Sequence, residues 1–260
     1  MKSVILAGGI GSRLSEETAL KPKPLVEVGG KPIIWHIMKL YSLHGINDFI
    51  VCCGYKGYLL KEYFINYFYH NSDVTVNLES GKSTINSTRS ESWRVTLVDT
   101  GNETMTGGRL ARVRHLLNEE NQFCFTYGDG VGDIDISSCI HEHDISGCLA
   151  TMTVAKPPGR FGAVSLTGKR VERFIEKPAG DGGYVNAGFF VLSRSVFDFI
   201  EGDHTVWEEA PLSQLADREQ LNAFVHDGFW HPMDTMRDKK YLHSLCDRKQ
   251  PPWLIKVKSE

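Results

Sequence analysis

The part of the sequence best equipped for chemistry is a glycine-rich loop near the N-terminus, followed by several cations. Residues 6–14 read Leu-Ala-Gly-Gly-Ile-Gly-Ser-Arg-Leu, so the glycines directly follow a short apolar run. Glycine tolerates positive φ and lets backbone N–H groups approach an anion closely, which allows such a loop to hold phosphates. Arg13, Lys21 and Lys23 add positive charge close by. Together these features predict a binding site for a polyphosphate.

The loop matches neither of the two common phosphate-binding motifs. A dinucleotide fingerprint, G-x-G-x-x-G, could begin at Gly9, but Leu14 stands where its third glycine is required. This disfavours a nicotinamide-dependent oxidoreductase. A Walker A loop could end at residues 81–83, but Val76 occupies the position of its first glycine. An ordinary tight turn is the simplest alternative, and Arg13 with the nearby lysines weighs against it.

Carboxylates that could bind a metal follow another apolar run. Asp129 stands between two glycines just after residues 123–127, at a strand end of the kind where α/β sheets bind ligands. Mg²⁺ typically takes one or two carboxylates together with substrate phosphates and water. An ordinary turn aspartate is the alternative reading of Asp129. A second carboxylate must come from a distant part of the chain, and residues 232–235 contain Asp234 but equally fit a helix cap.

Histidine and cysteine give little support for a metal centre or a nucleophile. His141, His143 and Asp144 could form a metal site, but we expect a solvated helix face there. The six cysteines contain no CxxC pair, which disfavours zinc and thioredoxin-like redox chemistry. Cys52 and Cys124 lie inside apolar runs, so we predict buried, reduced thiols.

Alternating apolar runs and helical patterns must position these groups. Apolar runs predict strands at residues 4–7, 49–53, 74–76, 95–98, 123–127, 149–155, 164–166, 171–175 and 189–192. Helical spacing predicts one helix that begins at Pro32. It predicts further helices at residues 59–68, 107–117, 196–200, 207–216 and 236–245. Continuous apolar strands between helices indicate an α/β fold whose mostly parallel sheet is covered on both faces. We expect one domain over residues 1–260.

Composition excludes several classes of partner. The 260 residues carry 29 Lys and Arg against 32 Asp and Glu, a net charge of −3, so no global charge attracts nucleic acid or an anionic membrane. The apolar run 4–7 is far shorter than a secretory or membrane-spanning segment, and we therefore predict a cytoplasmic protein. The polar stretch 79–94 is the best candidate for an arm between subunits or a mobile lid.

Several motifs in one order resemble a known enzyme family. Gly-Gly-x-Gly-Ser-Arg, followed by Lys21-Pro22-Lys23, resembles the signature of the sugar-1-phosphate nucleotidylyltransferases, with Ser12 where threonine is usual. The resemblance runs over nearly the whole chain. It is greatest to the branch that uses CTP and glucose 1-phosphate, in segments at residues 35–41, 105–110, 126–130, 158–162 and 228–235. One such match is weak, but together they are specific.

This resemblance implies a fold and a reaction. The fold is a Rossmann-like, mixed and mostly parallel sheet of the nucleotide-diphospho-sugar transferase type. The reaction transfers CMP from CTP to α-D-glucose 1-phosphate by Mg²⁺-assisted in-line attack, giving CDP-glucose and pyrophosphate for dideoxysugar and O-antigen biosynthesis in lipopolysaccharide. Relatives form homo-oligomers, including hexamers in the CTP-using branch. A UTP- or dTTP-dependent transferase and a non-catalytic sugar-nucleotide sensor stay open as alternatives.

The resemblance also assigns site residues. It implies catalytic roles for Arg13, Lys23, Asp129 and Lys177, and metal binding by Asp129 and Asp234. The positions implied to bind nucleotide are Leu6, Ala7, Gly8, Gly9, Ile10, Gly11, Ser12, Arg13, Lys23, Thr104, Thr106, Arg109 and Gly128. Those implied to bind the sugar phosphate are Tyr127, Arg160, Glu176, Lys177, Asn186 and Gly188. Met236 departs from the thymidylyl relatives, which usually have glycine after Asp-Thr.

Overall fold

The strands form one large sheet and several two-stranded ones. The computed structural model describes residues 1–157, 163–167, 170–175, 183–249 and 251–255. Its strands are β1 (Ser3–Ala7), β2 (Glu27–Val28), β3 (Lys31–Pro32), β4 (Asp48–Cys53), β5 (Ser72–Asn77), β6 (Lys82–Thr88), β7 (Arg94–Asp99), β8 (Gln122–Tyr127), β9 (Gly130–Gly132), β10 (Ala150–Ala155), β11 (Ala163–Thr167), β12 (Arg170–Ile175), β13 (Val185–Ser193), β14 (Leu221–His226) and β15 (Trp230–Pro232). Its helices, besides short 3₁₀ turns, are α1 (Ser15–Thr18), α2 (Ile33–Leu43), α3 (Gly57–His70), α4 (Thr106–Arg112), α5 (Ile136–Ser146), α6 (Ala210–Asp217) and α7 (Met236–Asp247).

The large sheet has seven strands in the order β14-β10-β13-β8-β1-β4-β7. Its described strand pairs are parallel, except for the two antiparallel pairs that β13 makes with β8 and β10. The predicted mixed, mostly parallel sheet is therefore confirmed. Parallel strands place their carboxyl ends at one edge, so the segments that follow β1, β4 and β8 meet there.

Both faces of this sheet are buried. Along β1, Ile5 and Ala7 pack into one apolar cluster, while Val4 and Leu6 pack into another on the opposite face. The first cluster includes the buried apolar residues of α2, and the second includes Leu110 of α4. This two-sided burial explains why the strands read as continuous apolar runs instead of alternating ones.

The predicted helices are present with shifted ends. Pro32 is extended and belongs to β3, so α2 begins one residue later than predicted. The predicted helix 107–117 ends as α4 at Arg112 and continues as a 3₁₀ turn. The predicted helix 207–216 begins at Ala210, with Pro211 in its first turn, where its missing N–H removes no helical hydrogen bond. The predicted helix 196–200 is a 3₁₀ turn, Arg194–Phe199.

The polar excursion predicted at residues 79–94 is mainly a β-hairpin, and it begins earlier than expected. β5 and β6 pair antiparallel directly after α3, and β6 is exposed along its whole length. The β-branched residues Thr84, Ile85 and Thr88 of this segment favour a strand over an irregular arm. Its role between subunits or as a lid stays a prediction.

One expectation about histidine is wrong, and the one about cysteine is confirmed. His143 is buried, because α5 packs on β10, and its ring hydrogen-bonds Thr151 Oγ1 and Ser193 Oγ at 3.0 Å each. The predicted solvated face therefore fails at this position. All six cysteines are free thiols, and Cys52 and Cys124 are buried. Among the described residues, no helix is both long and apolar enough to cross a membrane.

Candidate active site

The glycine loop leaves the carboxyl end of β1 and turns into the 3₁₀ segment Ser12–Leu14. Gly11 has a φ of +67°, a left-handed value that favours glycine. A Cβ added there would also lie 2.9 Å from Thr18 Cγ2, and the Thr18 hydroxyl donates to the Gly11 carbonyl at 3.1 Å. These constraints hold the loop in one shape at the sheet edge.

Arg109 supports this loop from below. Its guanidinium is buried and donates to Thr100 Oγ1 at 2.9 Å and to the Gly101 carbonyl at 2.7 Å. It also lies so close to Gly8 that a Cβ there would be 2.1 Å from Nη1. Arg109 borders the cavity, as expected for a nucleotide-binding residue, and it also donates to the carbonyls of Cys53 and Asn102. It therefore positions the loop and the segment after β7. Its contact with nucleotide stays a prediction.

Four charged side chains converge beside the loop and form what we call the ion cluster: Arg13, Lys23, Asp129 and Asp234. Lys23 Nζ donates to Asp129 Oδ2 and to Asp234 Oδ1, both at 2.8 Å. Arg13 Nη1 contacts Asp234 Oδ2 at 3.1 Å. The Arg13 side chain is 76% exposed, whereas that of Lys23 is only 11% exposed. The cluster thus combines a solvent-exposed cation with a buried one between two carboxylates.

Two short strands bring the distant aspartates together. β9 follows Asp129 directly and pairs antiparallel with β15, which ends just before Asp234. The backbone N–H of Met233 also donates to the Asp129 carbonyl at 2.8 Å. Thr235, and not Asp234, caps α7, through a capping box with Asp238. Asp234 therefore makes the charged contact with Lys23, and its neighbour Thr235 caps the helix.

The carboxylates keep Lys23 protonated. Burial by itself lowers the pKa of the Lys23 amine, but the charges and hydrogen bonds of Asp129 and Asp234 outweigh it, so the net shift is upward. A buried lysine that stays charged can neutralise phosphate oxygens. Lys21, by contrast, pairs with Glu27 at 3.5 Å and does not belong to the ion cluster.

A cavity of about 640 Å³ lies over the glycine loop. Every position that the resemblance assigns to nucleotide binding lines it, from Leu6 through Ser12 and on to Thr104, Thr106 and Gly128. Arg13, Lys23, Asp129 and Asp234 close one part of its wall. The cavity therefore joins a backbone-rich phosphate loop to the ion cluster. We call it the loop pocket.

A second cavity of about 360 Å³ opens at the same cluster. It shares Arg13, Asp129 and Asp234 with the loop pocket, and Tyr127 also borders both. Its other wall carries Asn186 and Gly188 from β13, which the resemblance assigns to the sugar phosphate. We call this cavity the β13 pocket. Two ligands, one in each pocket, would meet at the ion cluster.

The shape of the β13 pocket depends on Gly188. Its φ is +81°, and a Cβ there would lie 2.6 Å from Tyr127 Cδ2, so glycine makes room for the tyrosine ring. Asn186 Oδ1 accepts from the Gly188 N–H at 2.8 Å, and the Asn186 amide also hydrogen-bonds the Tyr127 hydroxyl. Burial first, and Glu208 next, raise the pKa of Tyr127. The ring is therefore a neutral partition between the two pockets.

Two pocket residues that the sequence did not predict, Glu208 and Trp230, have side chains with defined hydrogen-bond partners. Glu208 lines the loop pocket and accepts hydrogen bonds from Thr106 Oγ1, at 2.6 Å, and from the Tyr127 hydroxyl. It lies in a loop with no recognisable motif, so no pattern in the chain points to it. Trp230 lines the β13 pocket and donates from Nε1 to the Ala187 carbonyl at 2.8 Å. It lies within the segment 228–235, whose resemblance to relatives was a usable signal.

Arg160, Glu176 and Lys177 lie outside the described residues, so their predicted roles at the sugar phosphate have no structural counterpart here.

The donor set of the ion cluster fits a hard divalent cation. Asp129 and Asp234 present carboxylate oxygens to one point, and Mg²⁺ takes one or two carboxylates with phosphates and water completing its shell. Within the described parts of the chain, no group of three or more His, Cys, Asp or Glu side chains could hold a metal. A cation held here would thus depend on the ligands that a bound substrate brings.

Comparison with known proteins identifies close relatives. Residues 2–238 match the family described as Nucleotidyl transferase. The chain is 57% identical over 253 residues to the glucose-1-phosphate cytidylyltransferase of Salmonella typhimurium, covering 97% of this chain and 98% of that protein. It is 38% identical over 256 residues to the probable glucose-1-phosphate cytidylyltransferase of Bacillus subtilis, covering 98% of this chain and 100% of that protein. The resemblance stated from the sequence is confirmed.

Solved structures agree on the fold. A UDP-glucose pyrophosphorylase from Acinetobacter baumanii superposes with a TM-score of 0.70 at 16% identity, covering 97% of this chain and 95% of that chain. A putative glucose-1-phosphate thymidylyltransferase from Bacillus anthracis gives a TM-score of 0.68 at 19% identity, covering 95% of both chains. With the family match and the high identity to the Salmonella protein, these findings show that the chain belongs to the nucleotidyl transferase family.

Proposed function

We propose that this nucleotidyltransferase transfers CMP from CTP to α-D-glucose 1-phosphate, giving CDP-glucose and pyrophosphate. The observation that carries the proposal is the meeting of two pockets at one ion cluster. A transfer between two phosphate-bearing substrates needs such a junction, because the reacting phosphates must come together. The choice of CTP and glucose 1-phosphate rests on the 57% identity to the Salmonella glucose-1-phosphate cytidylyltransferase.

In this proposal CTP lies in the loop pocket. The backbone N–H groups of Gly8–Gly11 bind the triphosphate, while Arg13 and Lys23 balance its charge. A phosphate oxygen of glucose 1-phosphate, held in the β13 pocket, attacks the α-phosphorus in line. A new P–O bond forms as the bond to the β-phosphate oxygen breaks, and the electron pair leaves with pyrophosphate. The cations stabilise that leaving charge, so positioning and electrostatics carry the catalysis.

Asp129 and Asp234 would hold a divalent cation, which we propose to be Mg²⁺. When bound, it would neutralise part of the triphosphate charge. Lys177 and Glu176, with Arg160, are proposed to orient the sugar phosphate, in support of Asn186 and Tyr127. We further propose that the protein works as a homo-oligomer, and that its CDP-glucose serves dideoxysugar and O-antigen biosynthesis.

The test is pyrophosphate release with glucose 1-phosphate and, in turn, CTP, UTP, dTTP, ATP and GTP. We expect kcat/KM for CTP to exceed that for every other nucleotide by about a hundredfold or more. A preference for UTP or dTTP would reassign the nucleotide. Binding of CTP without turnover of any nucleotide would instead favour a sugar-nucleotide sensor. The Lys23→Met variant serves as the control for contaminating activity.

A further inference from the structure

The Lys23 amine fills the space between the two carboxylates of the ion cluster. Its Nζ lies 2.8 Å from Asp129 Oδ2 and 2.8 Å from Asp234 Oδ1. The flanking prolines and a 3₁₀ turn over Lys23–Leu25 restrict its backbone. Among the residues that the structure describes, Lys23 is one of few buried charged side chains. The amine is therefore a well-placed partner of both aspartates and no incidental surface contact.

A divalent cation bound by the same two oxygens would compete with this amine. Mg²⁺ binds carboxylate oxygens at about 2.0–2.1 Å, which places it in the region that Nζ occupies. Two positive charges at such short range also repel each other strongly. Because Asp234 Oδ2 is already in contact with Arg13, the unoccupied side of that carboxylate is limited as well. The amine and the metal therefore cannot use the carboxylate pair in this way at the same time.

The charges of the cluster balance before any ligand binds. Asp129 and Asp234 carry two negative charges, and Arg13 and Lys23 carry two positive ones. A free divalent cation thus meets a site without net negative charge, and it must displace a buried ammonium. A triphosphate changes both conditions, since it brings negative charge and offers new oxygen acceptors to Lys23. The four-carbon stem of lysine allows the amine to turn from one set of acceptors to another.

We propose that Lys23 prevents free divalent cations from binding to the Asp129–Asp234 pair. The pair becomes available to a cation when nucleotide phosphates bind the Lys23 amine in place of the carboxylates. Metal then loads together with the nucleotide. This inference rests on the proposed function in one respect, the assignment of the metal to the two aspartates. It adds a second role to Lys23. The side chain that binds phosphate also determines that the metal binds together with the nucleotide and not before it.

The test measures binding of Mn²⁺, as a probe for Mg²⁺, by the electron paramagnetic resonance signal of the free ion. In the protein without nucleotide, Lys23→Met removes the competing charge and should tighten Mn²⁺ binding by about tenfold or more. Adding α,β-methylene-CTP, which cannot release pyrophosphate, should tighten Mn²⁺ binding in the wild type much more than in Lys23→Met. Lys21→Met is the matched control, since it removes one nearby charge that pairs with Glu27 outside the cluster. We expect it to behave as the wild type.

Unchanged Mn²⁺ affinity in Lys23→Met would overturn the inference, and Lys23→Gln provides a second neutral variant if the first fails to fold. Asp129→Asn in the Lys23→Met background separates this outcome from a failure of the proposed metal site. If Asp129→Asn leaves Mn²⁺ binding intact, the assignment of metal to the aspartates is wrong. If Asp129→Asn abolishes it while Lys23→Met has no effect, the metal site stands and the competition by Lys23 does not.

Discussion

At the scale of single residues, the sequence predicted which positions border the site better than what each side chain does there. The loop residues were accessible to prediction because they are contiguous and follow a strand, and all of them line the loop pocket. The protein contacts of Arg109 were not, because residue type does not reveal the direction in which a side chain points. The Arg109 guanidinium turns inward to the Thr100 hydroxyl and the Gly101 carbonyl, and it packs under Gly8. Partners of that kind, distant or on the backbone, leave no pattern in the chain.

The contact between Gly8 and Arg109 predicts that one added methyl group at Gly8 destabilises the folded protein. A Cβ at Gly8 would lie 2.1 Å from Arg109 Nη1, and the guanidinium is held by several acceptors, so neither group can move freely. We expect Gly8→Ala to lower the free energy of unfolding by about 1–3 kcal/mol. Urea denaturation measures this change.

Gly9→Ala is the matched control for the Gly8 prediction. An added Cβ at Gly9 meets nothing within 4 Å, so its unfolding free energy should change by less than about 1 kcal/mol. Equal stabilities of the two variants would show that Arg109 does not pack against the loop as described.

At the scale of elements, long apolar strands were predictable and short pairings were not. β1, β4 and β8 fall where continuous apolar runs predict them. β9 and β15 have three residues each and lie about a hundred residues apart in the chain, too short for any periodicity to show. Yet this pairing brings Asp129 to Asp234. The residues alone therefore did not predict that Asp129 and Asp234 lie together. Only the family resemblance placed both in one metal site.

The buried residue His226 makes the stability of the folded protein depend on pH. Burial acts to lower the pKa of His226, but the Asp133 carboxylate at 3.1 Å and the Phe229 carbonyl outweigh it, and the net shift is upward from 6.5. The folded state thus binds the proton more tightly than the unfolded state. The stabilisation is fully present below about pH 6.5 and is lost as pH rises through the raised pKa.

Denaturant unfolding of the wild type and of His226→Gln over this pH range tests the sign. The stability advantage of the wild type should be greatest below about pH 6.5 and should shrink as pH rises through the raised pKa. His143→Gln is the matched control. Burial lowers the pKa of His143, so its contribution to the free energy of unfolding is instead lost as pH falls. An advantage of the wild type that grows as pH rises would contradict the account of His226.

At the scale of the whole molecule, the sheet explains why the pockets meet. The loop after β1 and the turn after β8 leave neighbouring parallel strands at the same edge, as the sequence predicted. β13 runs antiparallel beside β8 and supplies the wall with Asn186 and Gly188. Strand direction and order at this point were not readable from apolar runs, because neighbours far apart in the chain decide them. The family resemblance implied that the sheet is mixed, but it gave no strand order.

The outer surface supports the predicted homo-oligomer. α3 exposes Ile65, at 72%, and Phe68, and the adjoining hairpin exposes Leu78, at 91%. Ile65 and Phe68 lie three residues apart on the same helix face, and grouped exposed apolar side chains are typical of protein–protein contacts. We expect the wild type to sediment as an oligomer, and the double variant Ile65→Ser, Phe68→Ser to shift toward the monomer in analytical ultracentrifugation.

Ile145→Ser is the control for this shift, because Ile145 is 66% exposed on a different helix, α5. It should leave the sedimentation of the protein unchanged. A monomeric wild type, or an oligomer that is insensitive to the double substitution, would refute the predicted interface.

The central claim is that nucleotidyl transfer takes place at the ion cluster between the two pockets, and the steady-state rate of Asp129→Asn tests it most directly. Asp129 borders both pockets and contacts Lys23. We expect kcat for pyrophosphate release from CTP and glucose 1-phosphate to fall by about 10²–10³, with the fold retained. Asp227→Asn, at an exposed aspartate paired with Lys156, should keep wild-type turnover. Near wild-type turnover by Asp129→Asn would contradict the account.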